Sequence, residues 1–176
     1  MSTLFVLGGV GVAILLESLA SASSRTPRSL TSHPNDATLR MLALAASLLL
    51  LSATIYAALQ TVEVSLAVVS AGLIAVGGWL RATAMRNLGA QFRTEAGAER
   101  LVTTGIHALM RHPSELGLIC WTVGLFVAAP GLIAGALAGA QLPLLLARLR
   151  IEETALADRF GDRWRHYANE TPRLGV

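Results

Sequence analysis

Arginine, histidine, proline and glutamate stand together in the segment TTGIHALMRHPSELG, residues 103–117, between two stretches that are otherwise apolar. A second charged segment, RLRIEE, follows at residues 148–153. Charged side chains at the edge of a membrane are costly unless they form a site or reach the lipid headgroups. Arginines beside carboxylates favour a pocket for a zwitterionic or charged ligand. The candidate residues are Arg81, Arg111, His112, Glu115, Arg148, Glu152 and Glu153.

The apolar segments of the chain decide its fold class. Hydrophobic residues make up 53% of the 176 residues and charged residues only 14%, whereas about a quarter of a typical soluble domain is charged. A helix of about 20 apolar residues crosses the hydrocarbon core of a bilayer. The candidate segments are 4–20, 41–59, 64–80, 116–129 and 132–147. We therefore predict one all-α integral membrane domain of about five transmembrane helices. The lipid bilayer surrounds these helices and is a predicted partner.

The distribution of basic residues predicts the orientation in the membrane. All fourteen are arginine, and they fall between the first and second apolar segments, between the third and fourth, and after the fifth. By the positive-inside rule, the carboxyl terminus and the charged segments lie in the cytoplasm. The pI of about 10 therefore reflects topology. No basic stripe interleaved with aromatic residues indicates a nucleic-acid surface.

The amino-terminal segment and the composition bear on location. Residues 4–16 lack the basic region that opens a signal peptide, so we interpret this segment as a retained helix. Alanine and arginine are abundant and lysine is absent, a composition typical of a GC-rich bacterium. We therefore predict a protein of the bacterial inner membrane.

Metal and disulfide chemistry are not indicated by the sequence. The four histidines have no spacing typical of a zinc site, and we predict no bound metal. They are His33, His107, His112 and His166. Cys120 is the single cysteine, which excludes an internal disulfide, and we expect it to pack as a small apolar residue.

Short turns and proline predict how the helices are arranged. The turns at 59–65 and 129–131 predict two antiparallel helical hairpins. Pro113 suits the first position of a helix, which places Glu115 in the first turn, where a negative charge is favoured. Arg148 and Glu152 are four residues apart and are expected to face each other. After them, apolar residues at helical spacing predict an amphipathic cytoplasmic helix that lies back against the bundle.

Two motifs in the carboxyl-terminal half resemble a known family. LVTTGIHALMRHPSELG at 101–117 and EETALADRFGDRWRHY at 152–167, with a helical hairpin between them and a closing PR, resemble the isoprenylcysteine carboxyl methyltransferases. That family is grouped with the phospholipid methyltransferases as small integral membrane enzymes. The resemblance covers roughly residues 77–174, which we treat as the catalytic core. Residues 1–60 form the amino-terminal helices and carry no diagnostic motif.

The resemblance implies methyl transfer from S-adenosyl-L-methionine to a hydrophobic acceptor at the cytoplasmic face. The family's catalytic positions correspond to Arg81, Arg111, Glu115 and Arg148, with Arg148 expected to hold the acceptor. The cofactor site is expected to include Glu99, Arg100, Leu101, Val102, His107, His112, Pro113, Ser114, Glu115, Glu152, Glu153 and Tyr167. Trp164 and Tyr167 are expected to help close the tail over this site.

Two positions depart from the family pattern. The family has tyrosines where this chain has His107 and Glu115. A glutamate beside the transfer site repels a carboxylate acceptor and suits a cationic one, or an amine or thiol that must lose a proton. The acceptor therefore stays open among isoprenylated cysteine, a phospholipid amine, a thiol and a small hydrophobic acid.

Two other functions remain open at the level of the sequence. Sterol reductases share a similar helical core and use a nicotinamide cofactor, although they are usually much longer. A non-catalytic membrane protein that keeps the fold is the second alternative, because both tyrosine replacements fall at the expected site. Binding of S-adenosylmethionine distinguishes the three functions.

Overall fold

The computed structural model describes residues 36–88 and 100–175 of the chain. Within these ranges the regular structure is entirely helical: α1 (Asp36–Ala58), α2 (Val64–Leu88), a 3-10 turn (Gly105–Ala108), α3 (Pro113–Ala128), α4 (Leu132–Phe160) and α5 (Asp162–Glu170). The predicted helix at 4–20 and Glu99 lie outside the described residues. The all-α prediction is confirmed.

Three of the helices are long and apolar enough to cross a membrane, namely α1, α2 and α4. Many large hydrophobic side chains on these helices are exposed, among them Leu48, Val68 and Ile133, which suits a surface that faces lipid. The third helix, α3, is apolar but has only 16 residues. With 29 residues, α4 is about 43 Å long, so it exceeds the thickness of the hydrocarbon core and continues beyond it.

The principal helix pairs differ from the predicted hairpins. Helix α2 packs mainly against α3, and α1 packs mainly against α4, while α3 and α4 share a smaller contact. The turn at 59–65 joins α1 and α2, but neither is the other's main packing partner, because a short turn fixes where two helices meet and not which faces fit together. The predicted antiparallel orientation of this pair stays a prediction. Small residues allow the α2–α3 contact: a Cβ atom built on Gly77 would lie 2.5 Å from the main-chain oxygen of Gly117. Backbones that approach this closely pack well without any polar contact.

The hydrophobic core lies where α1, α2 and α4 pack against α3. Trp121 is its largest member, and its indole Nε1 donates a hydrogen bond of 2.8 Å to the main-chain oxygen of Ile74 in α2. This bond satisfies the only polar atom of the buried indole and fixes α3 against α2. The buried core residues include Leu50, Ile74, Leu118, Trp121, Leu125 and Leu145.

The end of α4 turns the chain back toward the site. Gly161, with a φ of +53°, separates α4 from α5 in a left-handed conformation that favours glycine. Helix α5 packs against α4. Its Trp164 and Tyr167 are buried, with their rings in an edge-on arrangement at 5.7 Å. The predicted carboxyl-terminal helix that lies back against the bundle is therefore confirmed, with a break at Gly161 that divides it from α4.

Candidate active site

The amino-terminal end of α3 is the centre of the site. Pro113 is the first residue of this helix, and Glu115 lies in its first turn, as the sequence predicted. The residues at this end are nearly inaccessible: His112 is 3% exposed and Glu115 is 4% exposed. Two ionisable side chains are thus buried at one helix end, where they need partners to offset the loss of water.

Glu115 is paired with Arg148 of α4. The Glu115 Oε1 atom lies 3.6 Å from the Arg148 Nε atom, and the Arg148 side chain is only 13% exposed. His112 and Arg81 also interact electrostatically with the Glu115 carboxylate. The expected pair between Arg148 and Glu152 is not formed within 4.0 Å in the described ranges, so the arginine binds a carboxylate from the neighbouring helix instead.

Arg81 of α2 reaches the same helix end. Its Nη1 atom donates a hydrogen bond of 2.6 Å to the Ser114 hydroxyl. Helices α2, α3 and α4 therefore each contribute a side chain to one polar cluster. Its members, named here the α3 cluster, are Arg81, Ser114, Glu115, Arg148 and Glu152.

Glu153 joins the carboxyl-terminal tail to this helix end. Its carboxylate lies 3.0 Å from Arg111 Nη1 and 3.3 Å from His112 Nε2. Arg173 of the tail donates to both oxygens of the same carboxylate. Two main-chain bonds reinforce the contact, because the amides of Arg111 and His112 donate to the carbonyls of Pro172 and Arg173 at 2.9 and 3.0 Å. The carboxyl-terminal tail at residues 172–173 is thus bound to the two residues that precede α3.

Arg111 is held from two sides. Besides its ion pair with Glu153, its guanidinium carbon lies 5.8 Å from the centroid of the Trp164 ring, a cation–π distance. Its Nε atom is buried and has no hydrogen-bond partner among the residues that the structure describes. A buried N–H without a partner costs free energy and is rare in folded proteins, so this atom is available to an acceptor on a ligand.

His107 lies in the 3-10 turn before α3, held by the tail. The Tyr167 hydroxyl donates a hydrogen bond of 2.6 Å to the main-chain oxygen of His107. The His107 side chain is buried, and its Nδ1 atom has no hydrogen-bond partner within residues 36–88 and 100–175. Burial lowers the pKa of His107 from 6.5, and the nearby charge of His112 lowers it further against the opposing effect of Glu115. A neutral imidazole with an unpartnered nitrogen therefore lies beside the charged residues.

The pKa values of His112 and Tyr167 are both raised, each against an opposing effect. Burial lowers the pKa of His112, but its hydrogen bond to Glu153 and the charges of Glu152, Glu115 and Glu153 together raise it above 6.5. Burial raises the pKa of Tyr167 to about 12, although Arg111 opposes the shift. His112 therefore favours its cationic form, and Tyr167 is a neutral hydroxyl donor.

Glu152 differs from its neighbour Glu153. It interacts electrostatically with Glu115, His112, Arg148 and Glu153. Yet no ion pair within 4.0 Å involves Glu152 in the part of the chain that the structure describes. One carboxylate at the site is therefore free to accept a cation or a hydrogen-bond donor from a ligand.

The structure brings most of the sequence-predicted residues together. His107, the segment from Arg111 to Glu115, Arg148, Glu152, Glu153 and Tyr167 surround one helix end. Arg100 is exposed, and Leu101 and Val102 are half-buried in the segment that leads to the 3-10 turn. Arg173 was not predicted as a site residue, although it belongs to the closing PR. No group of three or more potential metal ligands occurs within 36–88 and 100–175.

Comparison with known proteins identifies the region around this site. A family model described as phospholipid methyltransferase matches residues 65–163. A Schizosaccharomyces pombe protein named protein-S-isoprenylcysteine O-methyltransferase is 31% identical over 107 residues, which is 57% of this chain and 45% of that protein. Protein-S-isoprenylcysteine O-methyltransferase B of Arabidopsis thaliana is 34% identical over 107 residues, covering 57% and 54% of the two chains.

A mammalian relative carries the same protein name and has a similar identity to this chain. The Rattus norvegicus protein-S-isoprenylcysteine O-methyltransferase is 32% identical over 111 residues, or 58% of this chain and 39% of the rat protein. The matched region spans about half or less of each of these three relatives. The family-model match at residues 65–163 contains the charged end of α3 and the α4 residues that face it.

Proposed function

The chain belongs to the phospholipid methyltransferase family, and on this premise we propose that it transfers a methyl group from S-adenosylmethionine to a hydrophobic acceptor. The names of the three relatives support methyl transfer. The observation that carries the proposal is the end of α3, where buried charged side chains from three helices meet. In the described part of the chain, Arg111 Nε and His107 Nδ1 have no hydrogen-bond partner there and Glu152 forms no ion pair. The catalytic core is proposed to be residues 77–174 of a single membrane domain.

The unpartnered groups fit the proposed methyl donor. S-adenosylmethionine carries a sulfonium cation, an amino acid with both charges, ribose hydroxyls and an adenine. The Glu152 carboxylate suits the ammonium group or a hydroxyl, and the buried N–H of Arg111 suits the carboxylate. His107 Nδ1 offers one more hydrogen-bonding atom. These residues would hold the donor, together with the other predicted members of the cofactor site.

The chain's own residues would orient the two reactants and exclude water from the site, and they would form no covalent bond to either reactant. When bound, S-adenosylmethionine supplies an electrophilic methyl group on sulfur. The burial of Glu115 and His112 supports a site at the end of α3 that excludes water, and holding two reactants in line there would lower the barrier through orientation. The tail fixed by Glu153 and Tyr167 covers this end, which supports its role as the closing element.

Membrane access is the second part of the proposal. Arg148 lies about 24 Å along α4 from the first residue of that helix, near the depth at which the hydrocarbon core ends. An acceptor with an apolar chain would thus remain in the bilayer while its polar end reaches the α3 cluster. The arginine distribution supports a cytoplasmic active site, and the composition supports the bacterial inner membrane.

Calorimetry on the detergent-purified full chain tests the function. We expect micromolar binding of S-adenosylmethionine and of its demethylated product, S-adenosylhomocysteine. Glu152→Ala is expected to weaken both by at least about tenfold, because a charge-assisted hydrogen bond is lost. Glu170→Ala is the matched control, since Glu170 is exposed and, within the described residues, its ion-pair partner is His166 of the same helix.

Two results would count against this function. Binding of the product by Glu152→Ala with the affinity of the parent would refute the assignment of Glu152. If the well-folded parent bound neither compound, methyl transfer would be abandoned. A nicotinamide cofactor is measured alongside, because its binding would indicate a reductase, and a sample that binds nothing would indicate a non-catalytic protein.

A further inference from the structure

We propose that a cavity between α1, α3 and α4 is a second binding site, which takes the hydroxyl group of an uncharged long-chain alcohol from the bilayer. The side chain that would bind this hydroxyl is Gln141 of α4, which lines the cavity. This inference goes beyond the proposed methyl transfer and does not depend on it, because the cavity is separate from the charged end of α3.

The first argument is the state of Gln141 itself. Its side chain is 1% exposed, and within residues 36–88 and 100–175 neither its amide nitrogen nor its carbonyl oxygen forms a hydrogen bond. It lies about 14 Å along α4 from the first residue of that helix, near the middle of a hydrocarbon core about 30 Å thick. A polar side chain at this depth is costly and usually marks a binding site or a transport path.

The second argument is the cavity beside this amide. Its volume of about 10 Å³ is close to the space that one water-sized group needs. Thr122 of α3 also lines it, and because the Thr122 hydroxyl donates to the main-chain oxygen of Leu118 at 2.9 Å, its oxygen can still accept a hydrogen bond. The surrounding side chains are apolar, and Phe126 among them is 39% exposed. A ligand therefore reaches the cavity from the lipid.

The chemistry of these atoms selects an uncharged hydroxyl. A primary amide offers both a donor and an acceptor, and a hydroxyl group can accept from the amide nitrogen and donate to an oxygen. None of the lining residues that the structure describes is ionisable, so a carboxylate or an ammonium group would be buried without a partner. The polar groups of a phospholipid lie at the membrane surface, about 15 Å from its middle. A single hydroxyl on an apolar chain fits all three conditions.

Buried core residues separate the cavity from the charged end of α3. Gln141 and Arg148 are about 10 Å apart along α4, and Leu145, which lies between them, is 3% exposed. On α3, Leu118 and Trp121 belong to the same buried cluster as Leu145 and follow the first turn of that helix. The alcohol site is therefore distinct from the α3 cluster and lies deeper in the membrane.

The test compares 1-dodecanol with dodecane, which differ by one hydroxyl group, through unfolding midpoints of the detergent-purified full chain. We expect dodecanol to raise the midpoint of the parent by at least about 2 °C more than dodecane does, because a ligand that binds the folded state stabilises it. Gln141→Leu removes both hydrogen-bonding atoms at similar side-chain size and should abolish this difference. Thr122→Val should reduce it, because one acceptor is lost.

A control variant and the choice of measurement keep the test specific. Gln60→Leu makes the same substitution at an exposed position and should show the parent's difference between the two compounds. Each protein is compared with itself in the two compounds, so an intrinsic change in stability cancels. None of these measurements uses a methyl donor, so a failure of the proposed methyl transfer would leave their outcome unaffected.

Two results would overturn the inference. Equal midpoints of the parent in dodecanol and in dodecane would show that the hydroxyl is not bound, and would leave a buried water as the partner of the Gln141 amide. A difference that persists in Gln141→Leu would place the alcohol elsewhere on the protein. A difference present in the parent and in Gln60→Leu and absent in Gln141→Leu would support the site.

Discussion

The Tyr167 hydroxyl donates a hydrogen bond of 2.6 Å to the main-chain oxygen of His107, sixty residues earlier in the chain. This bond joins α5 to the 3-10 turn that precedes α3, and both partners are buried. The carboxyl-terminal helix is therefore part of the site's structure. Because the pKa of Tyr167 is raised to about 12, the hydroxyl remains a donor at any physiological pH.

Tyr167→Phe is predicted to weaken the contact between α5 and the 3-10 turn. The substitution removes one hydrogen bond and leaves a buried carbonyl without its partner, which costs about 1 to 3 kcal/mol. Thermal unfolding in detergent should show a lower midpoint, and the affinity for S-adenosylhomocysteine should fall with it. Tyr56→Phe is the matched control, because the Tyr56 hydroxyl forms no hydrogen bond in the described part of the chain. Equal midpoints for the two variants would show that the bond does not stabilise the fold.

His112 is predicted to make stability depend on pH. Its pKa is raised above 6.5 on folding, so the folded protein binds this proton more tightly than the unfolded chain does. The stabilisation is therefore complete below the unfolded value of 6.5 and is lost as the pH rises through the folded value. Unfolding midpoints measured from about pH 5.5 to 9 should fall over the upper part of this range.

The variant His112→Gln isolates this effect. In His112→Gln the unfolding midpoint should fall less between about pH 5.5 and 9, because the contribution of His112 is absent. His166→Gln, at an exposed position, should show the same dependence of the midpoint on pH as the parent. The lowered pKa of His107 acts in the opposite sense, since its stabilisation is lost as the pH falls below 6.5. This opposing effect is smaller in His112→Gln, because the charge of His112 contributes to lowering the pKa of His107. Parallel profiles for the parent and His112→Gln would contradict the assignment.

Local features of the site were predictable from the sequence, because they depend on near neighbours. Pro113 at the first position of α3 and Glu115 in its first turn follow from the steric and electrostatic preferences of helix ends. The apolar runs fixed the positions of α1, α2 and α4 in the same way. Each of these predictions uses only residues within one helix.

Long-range contacts were not predictable in the same way. The sequence suggested that Arg148 faces Glu152, four residues away, yet the arginine pairs with Glu115 from α3. That choice depends on how closely α3 and α4 approach at this point. The contact of Arg173 with Glu153 likewise requires the tail to cross the start of α3, which no spacing in the sequence reveals.

Gly77→Ala is predicted to separate α2 from α3. The added Cβ atom would lie 2.5 Å from the Gly117 oxygen and 2.7 Å from Trp121 Cδ1, so one helix must shift. Overpacking of this kind costs about 1 to 3 kcal/mol. Gly72→Ala in the same helix is the matched control, because its Cβ atom meets nothing within 4 Å. A lower unfolding midpoint for Gly77→Ala alone is expected, and equal midpoints would contradict the close packing.

Gln141→Leu is predicted to stabilise the protein. Gln141 of α4 is 1% exposed, and in the described ranges neither its amide nitrogen nor its carbonyl oxygen has a hydrogen-bond partner. It lines a cavity of about 10 Å³ between α1, α3 and α4, among apolar residues such as Leu50 and Leu125. A leucine of similar size removes the cost of the unpaired polar atoms, about 1 to 3 kcal/mol. The unfolding midpoint should rise by about 2 to 4 °C per kcal/mol gained.

Gln60→Leu, at an exposed position, serves as the control and should leave the midpoint unchanged. A lower midpoint for Gln141→Leu would mean that a bound water or ligand satisfies the amide.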